Sequence, residues 1–374
     1  MLPYGHQSIS EDDIAAVAGI LRGDWLTTGP AVAQFDRELS RWAGGAECVS
    51  VTSGTAALHT AYAACGVGPG DNVVASPMTF VATAATAILL GATVTFADVD
   101  PETALLDPAA AAAAANSRTK VIAAVDFAGH PADHDALGAV ARAAGAYFLD
   151  DAAHAIGSRY KGRPVGSTSD VTTYSFYPTK NMTTAEGGAV ATTHADIAVA
   201  ARRFRNHGLV RETANMRYPD EGGWHQEVHA FGLNYRLPDV LCALGMAQLR
   251  RLDTFIARRA ELVARYHKLL ADVDGLALPS QRPDVEPAWH LFAVRVLDGR
   301  RREVYERMRA AGIGVQVNYI PAYWHPVFED LGYRRGMCPG AESYYREELS
   351  LPLFADLTDT QQDTVVEALR DILA

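Results

Sequence analysis

The 374-residue chain has only four cysteines, Cys48, Cys65, Cys242 and Cys338, and no two of them form a CxxC pair. That scarcity excludes a disulfide framework and fits a reducing compartment. Targeting signals are lacking as well. The opening MLPYGHQSISEDD has neither a charged n-region nor an apolar h-region, and no apolar run reaches membrane-spanning length, so a soluble, cytoplasmic protein without membrane association is expected. There is no dominant basic run either. With a net charge of −11 the chain is a poor partner for a nucleic-acid polyanion. The nearest approach to a basic patch, Arg202, Arg203, Arg205, Arg211 and Arg217, reads equally as a solvated helix face or an anion site. No internal repeat is visible.

Half of the residues, 49%, are hydrophobic, which suffices for a real core. The length exceeds the usual single-core limit of roughly 250–300 residues, so a large domain and a smaller one are expected, divided as residues 1–248 and 249–374. Ser10-Glu11-Asp12-Asp13 opens an amphipathic helix with a capping signal. From Val49 onward strands alternate with helices: Val49–Val51, Asn72–Ala75, Thr93–Ala97, Lys120–Val125 and Tyr147–Leu149 read as strands. That alternation predicts a mostly parallel sheet covered on both faces, with ligands bound beyond the carboxyl ends of its strands. One long helix is predicted from Pro238 to about Asp272. An α+β pattern follows it: strand 289–297, helix 301–311, strand 315–319 and a C-terminal helix from Asp359.

The stretch VTTYSFYPTKNMTTAEGG, Val171 to Gly188, organises the rest. Its Thr, Tyr and Phe suit a strand, which Pro178 ends. Two residues on, Lys180 stands on a polar turn, either as a solvated lysine or, if it can lose its proton, as a Schiff-base nucleophile. Asp151 sits at the carboxyl end of another predicted strand. Ser53-Gly54-Thr55 opens a helix, a turn that serves either as an ordinary N-cap or as a phosphate cradle. A lysine for an aldehyde, an aspartate for a ring nitrogen and a cradle for a phosphate are together what pyridoxal 5′-phosphate (PLP) requires.

Beyond these residues, the motifs DWLTTGP, SGTAALH, SPMTFVATA, DDAAHAIGS, SFYPTKNMTTAEGG, FGLNYRLPD, NYIPAY and LSLPLF run over nearly the whole chain. They resemble those of the DegT/StrS-type sugar-nucleotide aminotransferases. The opening LPYGHQSI and SPMTFVATA are most similar to the pseudaminic-acid-type C4 keto-sugar branch. The resemblance implies a type I PLP-dependent, aspartate-aminotransferase-like α/β fold: a large domain on a mostly parallel mixed sheet plus a smaller α+β C-terminal domain. It implies Lys180 as the Schiff-base lysine and proton shuttle, and Asp151 as partner of the pyridine nitrogen. It implies His154 at the ring oxygen (otherwise a structural histidine), Phe80 stacked on the ring (otherwise core), and Gly54, Thr55 and Ser175 on the phosphate. Asn234 matches a residue that reaches the phosphate from the neighbouring subunit of a homodimer. Tyr4, Thr27 and Tyr319 match positions lining the sugar-nucleotide pocket. The family usually has Glu-Asp where this chain has Asp150-Asp151; the second acid is kept.

The expected activity is transfer of an amino group from L-glutamate to a keto carbon, C4 before C3, of a nucleotide-linked deoxy-sugar. Two other readings compete with it. In PLP sugar dehydratases of this kind the lysine is replaced by histidine, so Lys180 argues against dehydration. A PLP-binding regulator would need a DNA-binding extension, and neither a helix-turn-helix segment nor a basic region is present. No metal site is expected.

Overall fold

The computed structural model describes residues 1–374. Seven strands make the main sheet: β1 (Glu47–Val51), β2 (Asn72–Ala75), β3 (Thr93–Phe96), β4 (Thr119–Val125), β5 (Tyr147–Asp151), β6 (Val171–Ser175) and β7 (Gly188–Thr192). Their order is β1-β7-β6-β5-β4-β2-β3. β2, β3, β4, β5 and β6 pair in parallel, and β7 alone runs against its neighbours β6 and β1. The sheet is therefore mixed but mostly parallel. Continuous apolar runs follow from burial on both faces: in β4 every residue from Val121 to Val125 is buried. On one side the helix Gly54–Ala64 packs across β6 and β7. Its alanines Ala57 and Ala61 are fully buried and allow close approach of helix to sheet.

A second sheet of three antiparallel strands is built from Leu276–Ala277, Phe292–Val296 and Glu348–Leu351. It shares a core with the helices Leu252–Leu270 and Asp359–Leu373. Tyr266 stacks on Phe292 with ring centroids 4.6 Å apart. The N-terminal arm joins this part of the chain: Leu2 N–H donates to Gly312 C=O, Leu2 C=O accepts from Gly314, and Tyr4 C=O accepts from Leu353. The four cysteines are free and buried. No helix is long and apolar enough to cross a membrane.

Two expected elements come out differently. The helix expected from Pro238 to Asp272 is two, Asp239–Leu249 and Leu252–Leu270. At the break, Arg251 reaches Asp13 Oδ2 at 2.8 Å and Ser8 Oγ at 3.0 Å and lies over the Phe255 ring. A tertiary ion pair to a buried carboxylate thus overrides helix propensity. The segment 315–319 is extended but forms only an isolated bridge, Gln316 to Ser350. Its next free amide, Asn318 N–H, donates instead to Glu348 Oε2 at 2.6 Å, so the ladder stops.

Candidate active site

The carboxyl ends of the parallel strands open on one cavity of about 500 Å³. Val125 closes β4, Asp151 closes β5 and Ser175 closes β6, and all three line it, with Ser53 and Gly54 just beyond β1. Of the residues singled out by sequence, the cavity gathers Gly54, Thr55, Asp151, Ser175 and Lys180 on its sheet side. Tyr4, Phe80, His154 and Tyr319 line it too. Thr27 and Asn234 do not. Thr27 is exposed on the loop before the helix Pro30–Trp42, and Asn234 is exposed and bridged to Asn206.

Lys180 is held by the turn that Pro178 starts, its N–H donating to Tyr177 C=O at 2.9 Å. Burial pushes its ammonium down to about 8, against the attraction of Asp151. At that value roughly one amine in ten is free at pH 7, against roughly one in three thousand for an ordinary lysine. A lysine so placed can serve as a nucleophile once it loses its proton.

Asp151 is buried and pushed upward by that burial. Three contacts pull the other way: Thr83 Oγ1 donates to Oδ2 at 2.5 Å, Ala153 N–H donates to Oδ1 at 3.3 Å, and Lys180 adds its charge. Thr83 is itself paired with Thr79 at 2.6 Å. His154 is driven well below its ordinary range by burial and by the Lys180 charge, so it is neutral. Its Nδ1 accepts from Ala128 N–H at 3.3 Å, which leaves Nε2–H to donate to Tyr319 Oη at 3.0 Å. Phe80 is 60% exposed and meets Tyr319 edge-on with centroids 6.4 Å apart, standing at the cavity mouth.

At the start of the helix Gly54–Ala64 the Ser53 hydroxyl accepts from Ala56 N–H at 3.0 Å. The N–H groups of Gly54 and Thr55, in the first turn, have no carbonyl within the helix to bond. A Cβ on Gly54 would stand 2.8 Å from Ser175 Cβ, so the cradle between the two exists because residue 54 is glycine. Thr173 Oγ1 and His290 Nδ1, both in the cavity wall, are buried without a partner. Helix dipole, free amides and hydroxyls fit a phosphate. A buried carboxylate without an ion-pair partner fits a protonated ring nitrogen, and the depressed lysine fits an aldehyde.

Sequence reasoning passed over Thr83, Asn318 and His290. Thr79 and Thr83 stand at helical spacing in an otherwise Ala-rich segment, which was a usable signal. His290, a lone histidine before a strand, gave none.

A lysine pushed down by burial, a buried aspartate and a helix start with free amides, gathered along the carboxyl edge of a mostly parallel sheet, fit PLP enzymes of the aspartate-aminotransferase type. Comparison narrows the class. The chain belongs to the DegT/DnrJ/EryC1/StrS aminotransferase family, whose sequence model matches residues 7–370. It is an aminotransferase, and its cofactor is PLP. It is 40% identical to the spore coat polysaccharide biosynthesis protein SpsC of Bacillus subtilis, over 100% of this chain and 97% of that protein. Among solved structures it superposes on the putative sugar aminotransferase Spr1654 of Streptococcus pneumoniae in its PMP form. The TM-score is 0.93 at 28% identity, covering 100% of this chain and 99% of the other. Spr1654 has also been solved in a PLP form. Helicobacter pylori PseC, an aminotransferase involved in the biosynthesis of pseudoaminic acid, superposes with a TM-score of 0.92 at 26% identity, covering 100% and 99%.

Proposed function

We propose that the protein transfers an amino group from L-glutamate to a keto carbon, C4 in the first instance, of a nucleotide-linked deoxy-sugar. The observation that carries this reading is the convergence of Lys180, Asp151 and the Gly54–Thr55 turn on one cavity. Support for the substrate comes from sugar aminotransferases such as Spr1654 and from PseC. Support for C4 comes from the pseudaminic-type residues LPYGHQSI and SPMTFVATA.

Bound PLP supplies an aldehyde and an electron sink. Lys180 would hold it through its amine and would carry a proton between the amino donor's Cα and the sugar carbon. Asp151 keeps the ring nitrogen protonated through its charge. Gly54, Thr55 and Ser175 bind the phosphate. Phe80 would cover the ring, His154 would contact the ring oxygen, and Tyr4 and Tyr319 would orient the sugar nucleotide within the cavity.

The same reading makes the functional unit a homodimer in which Asn234 acts on the partner's phosphate site. It also divides the chain into a cofactor-binding domain, residues 1–248, and a smaller domain, residues 249–374. The deciding experiment is a panel of nucleotide-linked 3-keto and 4-keto sugars with L-glutamate, followed by identification of the aminated product. Turnover of none of them overturns the assignment, and amination only at C3 overturns the regiochemistry.

A further inference from the structure

Asp150, the neighbour of Asp151 in β5, belongs to a second group of titratable side chains. Adjacent strand residues face opposite sides of a sheet, and Asp150 is absent from the cavity that Asp151 lines. It lies with Asp126, which follows β4, and His134, which opens the helix His134–Ala144; one polar atom from each falls within 4.8 Å of the others. Asp126 and Asp150 are 0% exposed and His134 is 1% exposed. Asp126 Oδ1 accepts from Ala132 N–H at 2.8 Å and lies 3.0 Å from His134 Nε2. His134 is fixed by Thr168 Oγ1, 2.7 Å from its Nδ1, and by stacking on Tyr160. Three buried oxygens remain without any partner: Asp126 Oδ2 and both oxygens of Asp150.

Hydrogen-bond donors are shared unevenly among the three aspartates. Asp151 has Thr83, Ala153 and the Lys180 charge; Asp126 has Ala132 and His134. Asp150 has none: His134 Nε2 is 3.8 Å from its Oδ2, beyond hydrogen-bond reach. The nearby hydroxyls are committed elsewhere, Tyr174 to Val165 C=O and Tyr160 to Asp133. A buried carboxylate without a donor is untenable as an anion, whereas a protonated one becomes a donor itself. We propose that Asp150 is a neutral carboxylic acid that donates to Asp126 Oδ2, and that by taking this proton it leaves Asp151 the ionised carboxylate at the end of β5. One proton thereby satisfies an orphaned oxygen on each aspartate. Burial and the charges of Asp126 and Asp151 all push Asp150 upward, in the same sense. Asp150 is a positioning residue: it acts through the charge of Asp151, and that role rests on the cofactor assignment above.

The test is infrared spectroscopy of the full-length holoenzyme with isotope-labelled aspartate at neutral pH. A label-sensitive carbonyl stretch of a protonated carboxylic acid is expected. It is absent in Asp150→Asn, retained in Asp151→Asn, and lost in Asp126→Asn, where the new amide donates to Asp150 and lets it ionise. Cofactor affinity gives the second readout. Asp150→Ala weakens it about tenfold, and Asp150→Asn restores it, because an amide N–H replaces the acid O–H. The proposal is overturned if the band is missing, if it disappears in Asp151→Asn instead, or if Asp150→Asn is as impaired as Asp150→Ala. A stoichiometric divalent metal in the purified protein that Asp150→Asn removes would also overturn it. The vibrational band depends on neither turnover nor the sugar substrate, so its failure is distinct from failure of the proposed function. Should Asp150→Ala not fold, the asparagine variants alone decide.

Discussion

Thr83 Oγ1 stands 2.5 Å from Asp151 Oδ2, a hydroxyl from one helix fixing a carboxylate at the end of a strand 68 residues away in sequence. A hydrogen bond to a charged group contributes about 2 kcal/mol. Thr83→Val should therefore weaken cofactor binding by roughly 30-fold. The bond favours the ionised carboxylate, so losing it moves Asp151 further upward, and part of the lost affinity should return as pH rises. Thr83→Ser should behave as wild type. A cofactor titration followed by absorbance over pH 6–9 checks this; equal affinity in Thr83→Val at every pH would refute it.

Burial sets the Lys180 ammonium near 8 and Asp151 holds it there against further depression. Covalent uptake of PLP by the cofactor-free protein, trapped with borohydride, should place the label on the Lys180 peptide and rise with pH through an inflection near 8. Asp151→Asn removes the attraction that favours the charged amine, so the inflection should move to lower pH. Lys180→Ala should lose turnover altogether, since both the covalent anchor and the proton carrier are gone. Label on another lysine would end the assignment.

Lys180 and Asp151 were legible because each is a local event: a lone lysine on a Pro-started turn, and a pair of acids at the end of an apolar strand. The sheet was legible from its alternation of buried strands and helices. The contact of Thr83 with Asp151 was not, because the spacing of Thr79 and Thr83 marks at most a shared helix face and only packing turns that face toward Asp151. The break at Arg250-Arg251 has no Gly or Pro to announce it. It depends on Asp13, whose buried carboxylate also receives Gln248 Nε2 at 3.0 Å, and such long-range pulls have no sequence period. The extended segment 315–319 likewise loses its ladder to Glu348, 30 residues away.

That glutamate makes a stability prediction. Burial raises Glu348 to about 8, although Ser350 Oγ and Asn318 N–H both donate to it at 2.6 Å. A raised carboxyl favours the fold fully below its unfolded value and loses that contribution as pH rises through about 8. Glu348→Gln keeps an acceptor for Asn318 and cannot ionise. It should match wild type near pH 5 and melt a few degrees higher above pH 8. Parallel melting curves across that range would show that Glu348 does not titrate there.

Gly54 tests the phosphate cradle. In Gly54→Ala the added Cβ would meet Ser175 Cβ at 2.8 Å and Oγ at 3.0 Å, inside van der Waals contact, so the gap must narrow or Ser175 must move. Affinity for PLP should fall by about tenfold or more, whereas pyridoxal, which carries no phosphate, should bind both proteins alike. An equal loss for both compounds would assign Gly54 to general packing rather than to the phosphate.

Asn234 is exposed, yet its flanks are pinned from several directions. Leu233 N–H donates to Phe204 C=O and Tyr235 N–H to Arg205 C=O; Thr52 N–H, just before the cradle, donates to Tyr235 C=O. Arg236 Nη1 bonds Asn206 Oδ1 at 2.8 Å, and Tyr235 Oη meets His59 Nδ1 at 3.1 Å. An exposed asparagine on a pinned backbone, beside a run containing Phe231 at 97% exposure and Trp224 at 84%, suits presentation to a second subunit, where aromatic residues are enriched. In a two-fold dimer each chain would give its Asn234 and receive its partner's. Mixing Lys180→Ala with Asn234→Ala, each impaired alone, and allowing subunits to exchange should then rebuild one intact site per heterodimer. About half of the dimers are mixed at equal concentrations, so activity should recover to roughly a quarter of the wild-type value per total site. If exchange is demonstrated by mass-tagged subunits and activity stays at the level of the separate variants, Asn234 serves its own chain.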